Sequence, residues 1–327
     1  MLPKNEQLLA IVVRDETQNP IGLAVFGRRR TLRHRLLRSL GYYLHETGER
    51  HYDCLTIEYN GLIADRGWLT VVANACVAAL GNYSPDWDEL FISGIDSAQC
   101  AAFQAAARKQ RLLHRVLYEK VCHFVDLDAV RTKGEYLHAI SRNTRYQLRR
   151  AIRIYEKDGS VRFECARSVD EAILFLEKLR GLHQVSWRAR GESGSFANPF
   201  FDSFHRELVR DRFAAGEIQL AKISTPAAVI GYLYNFVFRD TVYAYQSGFH
   251  YEADSKRKPG LVSHYLAIDY NLRAGAKIYD FMAGEGQHKG SLGTNTRSLV
   301  WLVEQRSRVK LRLENALREL KQRLAPQ

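Results

Sequence analysis

Long apolar runs are missing from this chain. No charge-free apolar span reaches the roughly 18 residues of a membrane-crossing helix, so none is expected. Paired cysteines are missing too. Cys54, Cys76, Cys100, Cys122 and Cys165 stand far apart, with no metal-ligating spacing and no even set for a disulfide framework. They read as reduced core residues of a cytosolic protein, and no metal is expected. The start, MLPKNEQLLAIVV, lacks the basic region and long apolar core of a secretion signal, so cytoplasmic placement is expected, with peripheral contact at the inner membrane face left open. Acidic residues are in short supply, 36 against 48 basic ones, giving a net charge of +12. That surplus, much of it arginine, favours phosphates, nucleotides, anionic headgroups or RNA.

What is present is ample for a packed core: 46% hydrophobic and 11% aromatic residues in 327, a length that suggests two domains. LLAIVV and IGLAVFG predict a hairpin around an Asn-Pro turn. The basic run Arg28, Arg29, Arg30, Arg33, Arg35 and Arg38 reads as a solvated connection or an anionic contact surface. CLTIEYNGLIADR predicts a strand and turn, WLTVVANACVAALGNY a helix and WDELFISGI a buried strand. AAFQAAARKQRLLHRVLYEK carries helix formers throughout, ahead of a strand at VCHFVDL.

GEYLHAISRNTRYQLRRAIRIYEKDG predicts a basic amphipathic helix, a solvated crossing or an RNA-binding face. VRFECA then reads as a strand. Ser168 and Glu171 form a capping box before SVDEAILFLEKLRGLHQVSW, and another helix follows at FDSFHRELVRDRFAAG. IQLAKIS, VIGYLYNFVF and TVYAYQS make a strand meander. LVSHYLAIDYNLRAGA is a helix, KIYDFMA a strand, and RSRVKLRLENALRELKQRL an amphipathic helix docking on its own domain through Leu311, Leu313, Leu317 and Leu320. Between the Thr241 strand and the Pro259 helix lies a polar basic loop. Such a strand-to-helix junction offers unpaired first-turn amides to an anion, so this segment predicts a grip on a phosphate-bearing cofactor.

The same residues resemble the acyl-CoA N-acyltransferase (GNAT) fold, whose pyrophosphate loop reads Arg/Gln-x-x-Gly-x-Gly/Ala. Here Arg257-Lys258-Pro259-Gly260-Leu261-Val262 keeps the arginine and the first glycine and ends in valine. Four blocks are similar to the CelD/BioF2-like acetyltransferase group, related to FemAB-type peptidyltransferases. They are Ser141-Arg142 through Arg150; His183 with Trp187-Arg188; Pro259-Gly260; and Tyr279-Asp280-Phe281 with Gly284 and His288-Lys289, the last pair standing where the group has Tyr-Lys. The resemblance implies an α/β fold of tandem GNAT-like domains, with mixed sheets flanked by helices. An N-terminal domain, abbreviated or degenerate, would span 1–135, a catalytic domain 136–305 and the terminal helix 306–327.

In acyl transfer from a thioester to an amine, Lys256, Arg257, Gly260 and Leu261 would hold acetyl-CoA or a longer acyl-CoA. Proton transfer would fall to His183, Asp280 or Glu285, with Lys289 steadying the oxyanion and Tyr245 protonating the leaving thiolate. Each has a bland alternative: a helix-end histidine, a paired buried carboxylate, a solvated lysine, a core tyrosine. Trp187, Arg188, Gln246 and Glu285 would line the acceptor cleft. The acceptor implied is an amine of a small metabolite or an envelope or exopolysaccharide precursor, handled by a monomer or homodimer. Two other readings remain: an aminoacyl-tRNA-dependent peptidyltransferase, and a non-catalytic RNA-binding or scaffold protein.

Overall fold

The computed structural model describes residues 8–33, 37–134, 136–284 and 286–324. In chain order the elements begin with β1 (Leu8–Arg14), β2 (Pro20–Arg33), β3 (Leu37–Leu44), β4 (Ile63–Ala64), α1 (Leu69–Tyr83), β5 (Glu89–Ile95) and α2 (Ser97–Lys109). Next come β6 (Leu113–Asp126), α3 (Leu127–Lys133), α4 (Tyr136–Ala139), α5 (Arg142–Tyr155), β7 (Arg162–Cys165), α6 (Val169–Arg188) and α7 (Pro199–Arg212). The chain ends with β8 (Ile218–Ser224), β9 (Val229–Phe238), β10 (Thr241–Phe249), α8 (Pro259–Arg273), β11 (Ile278–Ala283), α9 (Gln287–Leu292), β12 (Asn295–Gln305) and α10 (Val309–Leu324). Polar caps start several helices: the side chains of Asp96, Ser141, Ser168 and Asn198 each accept a bond from a first-turn amide. No helix of the described residues is long and apolar enough to cross a membrane.

Two compact units result. One comprises the described residues up to Lys120 together with those from Ser298; the other is Val121–Arg297. The sequence reading kept 298–305 with the second domain and set the terminal helix apart. In the first unit β1, β2 and β3 form an antiparallel meander, β5 joins β3 in parallel after the α1 crossover, and β12 closes against β5. Its core gathers Phe26, Tyr42, Leu44, Val72, Leu80, Trp87 and Phe103. Helix α10 packs here through buried Leu311 and Glu314; Glu314 pairs with Arg33 and Arg318. Of the expected leucine face Leu311 docks while Leu313 and Leu317 are exposed, and the side chain of Leu320 lies outside the described residues.

Three sequence expectations change. The arginine run is no connection: Arg28, Arg29, Arg30 and Arg33 sit inside β2, paired across from β3. Arg29 meets Glu49 and Arg33 meets Glu89, so opposite charges hold what apolar alternation would otherwise mark. Arg35 lies outside the described residues. CLTIEYNGLIADR forms a short 3-10 turn and the two-residue β4. The helix over AAFQAAARKQ stops at Lys109, and Leu113 onward is strand, where ladder pairing overrides helix propensity.

The second unit repeats the plan. β7, β8, β9 and β10 are antiparallel neighbours, α8 crosses over, β11 joins β10 in parallel, and the end of β6 closes against β11. Tyr232 touches Phe175 of α6 and Tyr234 touches His205 of α7, while Leu233, on the other face, shares a core with Val262, Ala267 and Ile268 of α8. The α/β class, with a mixed sheet covered by helices, is as the sequence implied.

Candidate active site

The second unit opens where its parallel pair parts. β10 and β11 pair only from Thr241–Ile278 to Tyr243–Asp280. Beyond that point β10 follows β9, with a register shift between Ala244 and Gln246, and the pairing of β11 with β6 shifts after Asp280. Bulges of this kind re-aim strands beside functional sites. Helix α8 starts close by. Its N-cap, Lys258, is left-handed at φ 49° and provides no side-chain cap; Pro259 has no N–H, which leaves the first-turn amides of Gly260 and Leu261. A Cβ at Gly260 would press within 3.2 Å of the Phe249 ring.

A cavity of about 720 Å³ lies at this helix start. Lys258, Gly260 and Leu261 form one wall, Asn143, Thr144 and Gln147 of α5 another, and His288 and Lys289 of α9 a third. Arg190 adds a further cation, and Glu252 and Asp254 face the same space. A helix N-terminus with uncapped amides and three flanking cations suits a phosphate-bearing ligand. The residues present therefore fit the pyrophosphate of an acyl-CoA.

Arg257 is used otherwise. It bonds Asp158 at 3.3 Å and Glu252 at 3.0 Å, with its guanidinium 5.2 Å from the Tyr155 ring centroid. It thus straps the loop before α8 to the end of α5. Lys256 is exposed, its backbone amide donating to Asp254 at 2.9 Å.

The α9 wall is the more reactive one. The His288 ring stacks on His264 at 4.8 Å and 7°, and His264 Nδ1 lies 2.9 Å from the Tyr279 hydroxyl. Burial and the neighbouring Lys289 charge pull His288 down to about 4, and burial keeps His264 well below the ordinary histidine value. Both rings are neutral near pH 7. Lys289 Nζ donates to the Ala283 carbonyl at 2.7 Å, which places its charge at the end of β11.

The remaining sequence candidates lie elsewhere in the unit. His183 is buried near the end of α6, edge-on to Phe196, with Nδ1 3.1 Å from Gln184 Oε1; burial lowers its pKa. Trp187 carries the Arg190 guanidinium 5.5 Å from its ring, and Arg188 is exposed. The Tyr245 hydroxyl meets His205 Nε2 at 3.1 Å, while His205 Nδ1 meets Tyr234 at 3.2 Å; burial takes His205 to about 3. Gln246 pairs across from Tyr234 on β9. Asp280 is wholly buried. It accepts from the Met282 amide at 2.6 Å, with φ +59° at Met282, and lies 3.6 Å from Arg297. Glu285 lies outside the described residues. The structure brings Gly260, Leu261 and Lys289 together at the cavity, and places the other described candidates outside its lining.

Sequence reasoning passed over Lys258 and Arg190 as site residues and did not single out His264. A histidine inside the apolar run LVSHYLAI was the available signal for His264. Among the described residues no group of three His, Cys, Asp or Glu is arranged to hold a metal ion.

Comparison with known proteins agrees with this geometry. Residues 142–290, which include all of the cavity lining but Ser291, match the acetyltransferase (GNAT) domain family. Among solved structures the chain is similar to FemX, with TM-score 0.59 and 11% identity over 91% of this chain and 88% of that one. It is also similar to the C-terminal DUF2156 domain of a protein assigned as a lysylphosphatidylglycerol synthetase in Agrobacterium fabrum (0.56, 12%, 95% and 86%). A third is L-PGS from Bacillus licheniformis (0.53, 9%, 96% and 87%). At these identities the likeness is one of fold. No protein of the curated set matches the sequence. Residues 142–290 thus match the acetyltransferase (GNAT) domain family, and the chain is similar in fold to FemX.

Proposed function

We propose that the protein is an acyl-CoA-dependent N-acyltransferase, whose acceptor is an amine of a small metabolite or of a cell-envelope or exopolysaccharide precursor. The observation that carries this reading is the cavity at the uncapped α8 N-terminus, set where β10 and β11 part and flanked by Lys258, Lys289 and Arg190. Bound acyl-CoA would supply an acyl group already activated as a thioester. The protein's part is to hold and orient. The Gly260 and Leu261 amides and Lys258 would receive the phosphates, and the Arg257 strap fixes the loop that forms one wall. Lys289, tied to the Ala283 carbonyl, would offer a positive charge to the thioester carbonyl oxygen as it gains negative charge. Such positioning is a large share of catalysis, since oriented groups reach effective molarities of roughly 10⁵–10⁸ M.

A second reading has an observation of its own. Helix α5 lines the cavity with Asn143, Thr144 and Gln147 and also presents exposed Arg142, Arg149 and Arg153, with Arg150 over the exposed Tyr146 ring. That outer face suits a nucleic-acid backbone, as an aminoacyl-tRNA donor would require. Thiol release from acetyl-CoA in the presence of a panel of primary amines tests the first reading. Aminoacyl transfer from charged tRNA, with no thiol release from acetyl-CoA, would replace it with the second. A folded protein that binds neither donor would point to the scaffold role.

A further inference from the structure

The wall that carries His288 has an organisation beyond donor binding. The His288 ring lines the cavity and makes no hydrogen bond to another described residue. Its plane is nonetheless fixed. His264, fully buried on α8, lies parallel to it, and is itself held by Tyr279 from β11 and walled by Phe249 and Phe281. A buried histidine held by a buried tyrosine hydroxyl thus fixes the ring plane of the cavity-lining histidine stacked on it.

We propose that His288 is the proton carrier of the acyl transfer and that His264 is its positioning residue. The inference rests on the acyltransferase reading of the same cavity. In the step, the acceptor nitrogen bonds to the thioester carbonyl carbon and the carbon–sulfur bond breaks. The proton shed by that nitrogen moves to a ring nitrogen of His288 and then to the departing thiolate, which leaves as a thiol. Charges across the cavity set the balance. Lys289 opposes protonation of His288, the cavity's other cations Lys258 and Arg190 act in the same sense and Glu252 and Asp254 in the opposite one, while the buried His264 and Tyr279 contribute no charge. The neutral ring keeps a lone pair for the amine proton, and its low pKa makes it a weak base but a ready donor to sulfur.

His288→Phe keeps a stackable ring and removes the acceptor; His264→Phe keeps the shape behind it and removes the Tyr279 bond. Acetyl-CoA binding is followed by calorimetry, thiol release by using hydroxylamine as surrogate amine, and ring titration by histidine NMR. His288→Phe is expected to bind acetyl-CoA within about twofold of wild type while losing roughly 10²-fold or more in kcat. The resonance missing in that variant should titrate near pH 4 in wild type, move on adding acetyl-CoA, and titrate at a different pH in His264→Phe. Thiol release within about threefold of wild type in His288→Phe would overturn the proposal. So would a wild-type resonance titrating near 6.5 that ignores acetyl-CoA. Folded wild type that fails to bind acetyl-CoA would remove the donor reading itself, and this proposal with it.

Discussion

The two units share one plan and differ at one place. Each has an antiparallel meander, a crossover helix and a strand added in parallel, and in each the parallel pairing lasts three positions. In the first unit the last of these is Tyr43–Phe91, whose rings stack at 4.7 Å. Beyond it the gap is filled. Asn60 bridges to Ile95, its side-chain amide donates to Leu44 O, and Glu46 accepts from Ser93 at 2.7 Å. Helix α1 starts at Trp68 and Leu69, with no lysine or arginine in its first turn. In the second unit the last position is Tyr243–Asp280, the strands part, and a cation-flanked helix start faces the opening. The topology supplies the gap; the residues placed in it make a plug or a site.

Gly94→Ala should break the plugged unit with the largest effect. Gly94 has φ +62°, and a Cβ there would lie 2.7 Å from the Ile57 carbonyl, so both backbone and space resist a side chain. A loss of about 2–4 kcal/mol in denaturant unfolding is expected. Acetyl-CoA affinity measured under native conditions should be unchanged.

pH should separate the units next. In the second, His205 at about 3 and His288 at about 4 stay neutral after unfolded histidines, at 6.5, have taken up protons. The unfolded state binds more protons in that window, so stability is full above about 6.5 and is lost as pH falls through 4, by up to about 1.4 kcal/mol per pH unit and group. In the first unit His45, lowered by burial, acts in the same sense, but two carboxyls act in the opposite one. Burial raises Glu46 and Glu304 to about 7 from 4.5, so the folded state holds the extra protons and stability is lost as pH rises through that range. Hydrogen exchange at pH 5 and 7.5, corrected for intrinsic rates, should show protection moving in opposite directions in α7 and in β12. The same direction in both would sink the comparison.

Smaller effects sharpen it. Arg257→Ala frees the loop strap, and should weaken acetyl-CoA binding about three- to tenfold while costing under about 1 kcal/mol of stability, the range of a partly exposed ion pair. Smallest of all, Leu313→Ala with Leu317→Ala should change stability by less than about 0.5 kcal/mol each, because both side chains are exposed on α10.

Much of the second unit was legible because its signals are local. Ser168 caps α6, Pro259 opens α8, and the TPAA turn separates β8 from β9. The arginine-rich β2 was not legible, since its partners Glu49 and Glu89 are brought by the fold. The site was half visible for the same reason. Gly260 and Lys289 stand in recognisable blocks, but the His264–His288 stack joins α8 to the short helix α9, which no periodicity links. Arg257 occupies a phosphate-loop position, yet its partner Asp158 lies 99 residues earlier and turns it to holding the loop. Tyr245 read as a proton donor to the leaving thiolate, and its contact with His205 of α7 was not legible because the fold brings the two together.

The central claim is that the open unit grips acyl-CoA at the start of α8. Calorimetric titration of acetyl-CoA into wild type and into the Lys258→Ala/Lys289→Ala double variant tests it most directly. Saturable binding that weakens at least about tenfold in a variant that remains folded is the predicted result, corresponding to about 1.4 kcal/mol of lost interaction. Equal affinity in the two proteins, or no binding by folded wild type, would contradict it.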